Sequence, residues 1–152
     1  MNVIVCVKQI PDPALPGELD PSTNTLKRAG KLILDESDSY GVEMALQLVG
    51  LAGEGEVSIV SMAPNGEMSG MRTALAMGAA KGVLVSDPEL AGSDALTTAK
   101  ILAAAVQRLG GADLMIAGTE SSDGYTGIVP EQMAEVLGLP SVTFAKHIEG
   151  DG

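Results

Sequence analysis

Aromatic residues are the scarcest class in this chain of 152 residues: there is no tryptophan, one phenylalanine and two tyrosines. A base or a flavin ring finds few aromatic faces to stack on, and the core has to be aliphatic. Eight methionines can fill its irregular gaps, because an unbranched thioether adapts its shape. Cysteine occurs once, as Cys6, so no internal disulfide can form. No basic stretch followed by an apolar run and a cleavage site opens the chain, and the expected location is cytoplasmic. No apolar run approaches the roughly 20 residues that a membrane-spanning helix needs. Basic residues are outnumbered, nine against twenty acidic ones, and the formal charge of -11 repels nucleic acid and anionic membrane surfaces while suiting a basic protein partner. The single histidine, His147, lies near the C-terminus and is read as exposed and inert. A zinc pair or a His-bearing triad is thereby excluded.

What is present suffices for one domain over residues 1–152, since 45% of the residues are hydrophobic and can build a core. Val3 to Val7 is a continuous apolar run of the kind that forms a buried parallel strand. Lys8 to Gly30 carries Pro11, Pro13, Pro16 and Pro21, which predicts a long surface loop, with a short hairpin arm over Leu26 to Leu34. Asp35 to Ser39 offers helix caps, and Val42, Ala45, Leu46 and Val49 then follow at helical spacing. Gly53-Glu54-Gly55 stops that helix. Val57 to Met62 reads as a second strand, Glu67 to Met77 as a second helix capped by Gly78, and Val83 to Val85 as a third strand. A third helix starts at Ser93 or Asp94 and presents Leu102, Ala105, Val106 and Leu109 on one face. Leu114 to Ala117 is the fourth strand. A polar loop from Thr119 to Val129 leads to a fourth helix, bracketed by Pro130 at its start and by Gly138 and Pro140 at its end. Val142 to Phe144 begins a fifth strand, and the closing Gly150-Asp151-Gly152 reads as a turn.

Strand and helix alternate, so the expected class is α/β, three-layered and doubly wound, with a parallel sheet in the order 3-2-1-4-5. In that order the first and fourth strands are neighbours and the chain reverses between them. Ligands bind beyond the carboxyl ends of strands at such a point, which makes the loops from Lys8 and from Thr119 face each other across a crevice. The second loop feeds a helix N-terminus, a place whose free N–H groups favour phosphate. Its Asp123-Gly124 and Thr126-Gly127 pairs are equally consistent with plain turn chemistry. Neither G-x-G-x-x-G nor G-x-x-x-x-G-K-[ST] occurs, which excludes the usual dinucleotide fingerprint and a P-loop. No G-x-S-x-G elbow occurs either. Glu120 and Asp123 read as solvated or capping carboxylates in preference to a metal site, and Cys6 as a small buried hydrophobe in preference to a reactive thiol.

Four landmarks, in order, resemble one family. Val5-Cys6-Val7-Lys8-Gln9-Ile10-Pro11-Asp12, Leu34-Asp35-Glu36 leading into Gly41-Val42-Glu43-Met44-Ala45-Leu46, Arg72-Thr73-Ala74-Leu75-Ala76-Met77-Gly78-Ala79, and the loop from Asp123-Gly124 to Ala134-Glu135 are similar to the β subunit of electron transfer flavoprotein. The match runs from about Asn2 to Phe144, and family members continue through a further C-terminal segment. The resemblance implies an adenine-nucleotide-binding (HUP-like) α/β fold and a heterodimer with an α subunit. AMP would sit structurally in this chain, with FAD mainly on the α subunit. Carried over by position, Cys6 lies by the adenine, Asp35, Glu36, Ser37 and Asp38 border the nucleotide, and Met62 forms a third wall. Ser122, Asp123, Gly124, Tyr125, Thr126, Gly127, Ile128 and Val129 wrap the phosphate. Where many members carry Gln-Thr-Gly or Gln-Val-Gly in that loop, this chain has Ile128-Val129-Pro130, and Pro130 has no N–H to offer.

The implied role is that of an electron carrier with no bond chemistry of its own. Electrons would pass from flavin dehydrogenases, such as the acyl-CoA dehydrogenases of fatty acid oxidation, to a membrane quinone reductase. Two rivals stand beside it. One is a bifurcating form with FAD in the β site and NADH as donor; the other is a stress-protein-like ATP-binding module with no flavoprotein partner.

Overall fold

The computed structural model describes residues 1–28 and 30–150. Strand β1 (Asn2–Cys6) runs into a short β2 (Gln9–Pro11) and, after the proline-bearing loop, β3 (Leu32–Leu34) and α1 (Glu36–Ala52). Then come β4 (Glu56–Ala63), α2 (Ser69–Met77), β5 (Lys81–Ser86), a single 3-10 turn at Pro88–Leu90, α3 (Ala95–Arg108), β6 (Leu114–Ala117) and α4 (Val129–Leu137).

β1, β4, β5 and β6 form one parallel sheet in the order β5-β4-β1-β6. Register is fixed by burial on both faces, because side chains alternate along each strand. Val3 and Val5 of β1, with Val57 and Ile59 of β4 and Ile116 of β6, point to one face and pack against Val42, Ala45 and Leu48 of α1 and Met71 and Ala74 of α2. Ile4 and Val60 point to the other and meet Ala99, Leu102 and Val106 of α3 and Met133 of α4. Each buried Val, Leu or Ile contributes about 1.5–3 kcal/mol of transfer free energy.

The expected HUP-like sheet in the order 3-2-1-4-5 does not form. Its fifth member, Val142 to Phe144, is no strand: the sheet ends on β6, with Val142 87% and Phe144 78% exposed and Phe144 at a φ of 55°. The alternation Val-Thr-Phe matches a strand template, but alternation stabilises a strand only where a ladder partner and a buried face exist. A second sheet, unforeseen, pairs β2 with β3 antiparallel through Gln9↔Leu34 and Pro11↔Leu32. The hairpin arm expected over Leu26 to Leu34 is divided accordingly, because Leu26 bridges back to Leu19 while β3 joins β2. The turn expected at Gly150-Asp151-Gly152 extends outside the described residues.

α2 starts two residues later than the sequence suggests. Ser69 N–H and its hydroxyl bond to the Glu67 carboxylate, closing a local turn that competes with helix. The helix is capped from far away: buried Gln9 accepts the Gly70 N–H at 2.9 Å and donates to the Glu67 carbonyl at 2.7 Å. A side chain at position 70 would come within 2.8 Å of Gln9 Cγ and 2.9 Å of the Leu34 nitrogen, so only glycine allows this approach.

Candidate functional site

A cleft of about 530 Å³ opens beyond the carboxyl ends of β1, β4 and β6. It exists because the chain leaving β1 proceeds to α1 on one face of the sheet, while the chain leaving β6 proceeds to α4 on the other, and the two connections diverge. Its floor is apolar, with Cys6, Met62, Leu102 and Met133; Lys8, Arg28, Ser121, Gly124 and Thr126 line it with polar groups. The volume lies in the roughly 300–1,000 Å³ range of small-molecule sites.

Alternation along β1 and β4 puts Cys6 and Met62 on the same side as α3 and α4. The Cys6 sulfur lies 3.8 Å from that of Met133. Burial, with the nearby Asp38 charge, pushes the thiol up to about 12, so it stays protonated and non-nucleophilic at neutral pH.

The start of α1 supplies two carboxylates with opposite fates. Asp35 is the N-cap, and one of its oxygens accepts the Ser37 N–H at 3.1 Å and hydroxyl at 2.9 Å. The other accepts the Ser122 N–H at 2.7 Å and hydroxyl at 2.8 Å. Burial alone would raise this carboxyl, but the Ser122 and Ser37 donors outweigh it and hold it below the usual range. Asp38 accepts the Lys8 N–H at 2.6 Å. Burial pushes its carboxyl up to about 7, opposed by the Lys8 and Gly118 N–H groups and reinforced by the charge of Asp35. Gly118, just after β6, leaves room for Ser37 and Asp38: a Cβ there would lie 2.8 Å from Ser37 Oγ and 2.9 Å from Asp38 Oδ1.

The second loop is anchored by Asp123. One carboxylate oxygen receives Lys8 Nζ at 2.6 Å; the other receives Arg28 Nε at 3.1 Å and Nη2 at 2.8 Å. Lys8 also reaches Ser121 Oγ at 3.0 Å. Burial would raise the Asp123 carboxyl, yet hydrogen bonds from Lys8 and Arg28 bring it net below its ordinary value.

Of the residues expected to hold a nucleotide, Cys6, Asp38, Met62, Gly124, Thr126, Gly127 and Val129 line the cleft together. Asp35, Ser37 and Ser122 lie behind it, bonded to one another. Glu36 is exposed and receives the Tyr40 hydroxyl at 3.4 Å. Tyr125 is exposed at a left-handed φ of 49°, and exposed Ile128 precedes α4 without a side-chain cap. Sequence reasoning did not single out Lys8 and Arg28. Their one signal was scarcity: cations are few, and three of the nine, Lys8, Lys27 and Arg28, sit in the loop that faces the anion-favouring one.

Among the described residues, no three His, Cys, Asp or Glu side chains gather into a metal site, and no helix is long and apolar enough to cross a membrane.

Comparison with known proteins points in one direction. Residues 23–152 match the family model described as the electron transfer flavoprotein domain. An electron transfer flavoprotein subunit beta from Clostridium acetobutylicum is 39% identical across 100% of this chain and 58% of the relative. Its Mycobacterium leprae counterpart is 38% identical over 99% and 59%. An acryloyl-CoA reductase electron transfer subunit gamma from Anaerotignum propionicum is 37% identical over 100% and 57%. The chain thus spans a little under three fifths of the length of these relatives. With a family model covering most of its residues and β subunits among its relatives, this chain belongs to the electron transfer flavoprotein family.

Proposed function

We propose that this chain forms the nucleotide-holding core of an electron transfer flavoprotein β subunit. The cleft between β1 and β6 carries the reading, because its apolar floor of Cys6, Met62, Leu102 and Met133 suits an adenine and its polar residues suit a phosphate. AMP is the structural ligand of this cleft, and the residues that border it are Cys6, Asp38, Met62 and the Gly124 to Val129 segment. Asp35, Ser37, Ser122 and Asp123 support the site from behind by fixing the two loops.

In this reading an α subunit carries FAD. The pair accepts electrons from flavin dehydrogenases and delivers them to a quinone reductase, with fatty acid oxidation as the setting. The β chain contributes a rigid platform and no bond chemistry. Support comes from the family and from relatives named as electron transfer subunits. Cys6, the one thiol, is held protonated.

The test is chemical. The complex with its α subunit is purified and heat-denatured, and the supernatant is assayed for adenine nucleotide and flavin. One AMP and one FAD per heterodimer is the expected result. Two flavins and no AMP would instead place FAD in this cleft.

A further inference from the structure

We propose that Lys8 and Arg28 are the residues that recognise the nucleotide's phosphate, an inference that rests on the nucleotide reading above and adds to it the specificity for a phosphorylated ligand. Both side chains line the cleft. They are held by one carboxylate, Asp123, whose side chain is only 4% exposed, whereas those of Lys8 and Arg28 are 41% and 37% exposed. An anion entering the cleft therefore meets the cations, with the carboxylate buried behind them.

Donor accounting agrees. Among the described residues, the Lys8 ammonium commits two of its three N–H groups, to Ser121 and Asp123, and Arg28 commits its Nε–H and one Nη2–H of five. One ammonium donor and three guanidinium donors remain for an oxyanion, and charge-assisted bonds of this kind are the strong ones. The loop completes the place. A Cβ built on Gly124 would lie 3.9 Å from Lys8 Nζ, 3.7 Å from Ser121 Oγ and 4.0 Å from Thr126 Oγ1, so an ammonium and two hydroxyls converge where a side chain is missing. At the other end of the loop the polarity reverses, because Glu120 Oε2 stands 3.3 Å from the corresponding point on Gly127. The phosphate belongs at the Gly124 end. A chain of net charge -11 repels anions at long range, and this local pair is what overcomes that repulsion.

The experiment compares AMP with adenosine by titration calorimetry on the full chain, freed of endogenous nucleotide with charcoal, in wild type, Lys8→Met, Arg28→Met and Arg28→Lys. Wild type is expected to prefer AMP. Each methionine variant should lose about tenfold or more in AMP affinity while binding adenosine as before, and Arg28→Lys should retain part of the preference. Unchanged adenosine binding shows that the variants are folded. A preference for AMP that survives in both methionine variants, or an equal loss of AMP and adenosine, would overturn the assignment; the second would mean that the ion pairs only pin the loops together. If wild type binds neither compound, the nucleotide reading fails and this subsite fails with it.

Discussion

Asp35 and Asp38 are one helical turn apart, yet their carboxyls are driven in opposite directions, and the difference lies in their donors. Asp35 has four hydrogen bonds to offset its burial, whereas Asp38 rests on backbone N–H groups and feels the charge of Asp35. A carboxyl lowered on folding adds stability above its unfolded pKa of roughly 4 and loses it as pH falls further; a raised one does the reverse. Asp35 and Asp123 therefore favour the fold above about pH 4. Asp38, raised from 3.8 to about 7, withdraws stability as pH climbs between those values. Asp38→Asn keeps an acceptor for the Lys8 N–H and has no charge to bury, so its melting temperature should fall less than that of wild type between pH 4 and pH 7. Parallel pH profiles by differential scanning calorimetry would refute this. Cys6 gives a second check at the same scale. With its thiol pushed up to about 12 and its sulfur beside Met133, it should react with a disulfide reagent orders of magnitude faster in denaturant than in the folded protein. Equal rates would contradict the raised thiol.

At the scale of elements, α2 depends on a residue outside it. Its own N-cap, Met68, makes no side-chain hydrogen bond, and Gln9 supplies the missing acceptor across 61 positions of sequence. Gln9→Ala should leave the Gly70 N–H and Glu67 carbonyl without partners and cost about 1–3 kcal/mol, seen as a lower urea midpoint at unchanged slope. An unchanged midpoint would remove Gln9 as the cap. This bond also shows which features sequence can reveal. The four parallel strands were legible because they are short apolar runs such as Val3 to Val7, and α1 and α3 because their apolar residues recur at helical spacing. β2 and β3 were not: three residues each, with Pro11 in one, they carry no period, and their pairing is set by tertiary contact. Val142 to Phe144 failed the other way, showing alternation without a partner strand. In the site, the stretch of cleft wall made by Gly124, Thr126, Gly127 and Val129 was legible from its glycines and from Pro130 beyond it, whereas the exposure of Tyr125 and Ile128 within it was not. The Lys8–Asp123–Arg28 cluster was not, because ion pairs spanning 115 and 95 positions leave no periodic trace.

For the molecule as a whole, the cleft gathers segments that are far apart in sequence. Its lining comes from the ends of β1, β4 and β6, from the loop bearing Arg28, from Asp38 of α1 on one face of the sheet and from α3 and α4 on the other, so a ligand there touches elements from both faces. A ligand that binds only the folded state stabilises it by mass action, at about 2.7 kcal/mol when present at a hundredfold excess over its dissociation constant. For a domain of this size each kcal/mol moves the midpoint by about 2–4 °C, so AMP at that excess should raise the melting temperature by roughly 5–10 °C. Adenosine at the same concentration should do less, because it occupies the apolar floor without engaging Lys8 and Arg28. The two shifts also locate the effect. If AMP and adenosine stabilise equally, the loops are joined through the nucleoside alone; if neither does, the cleft does not hold an adenine nucleotide. A shift for AMP that shrinks with added salt while that of adenosine stays constant would mark the charged end of the cleft as its source, since screening weakens exposed cation–anion contacts and leaves apolar burial nearly unchanged.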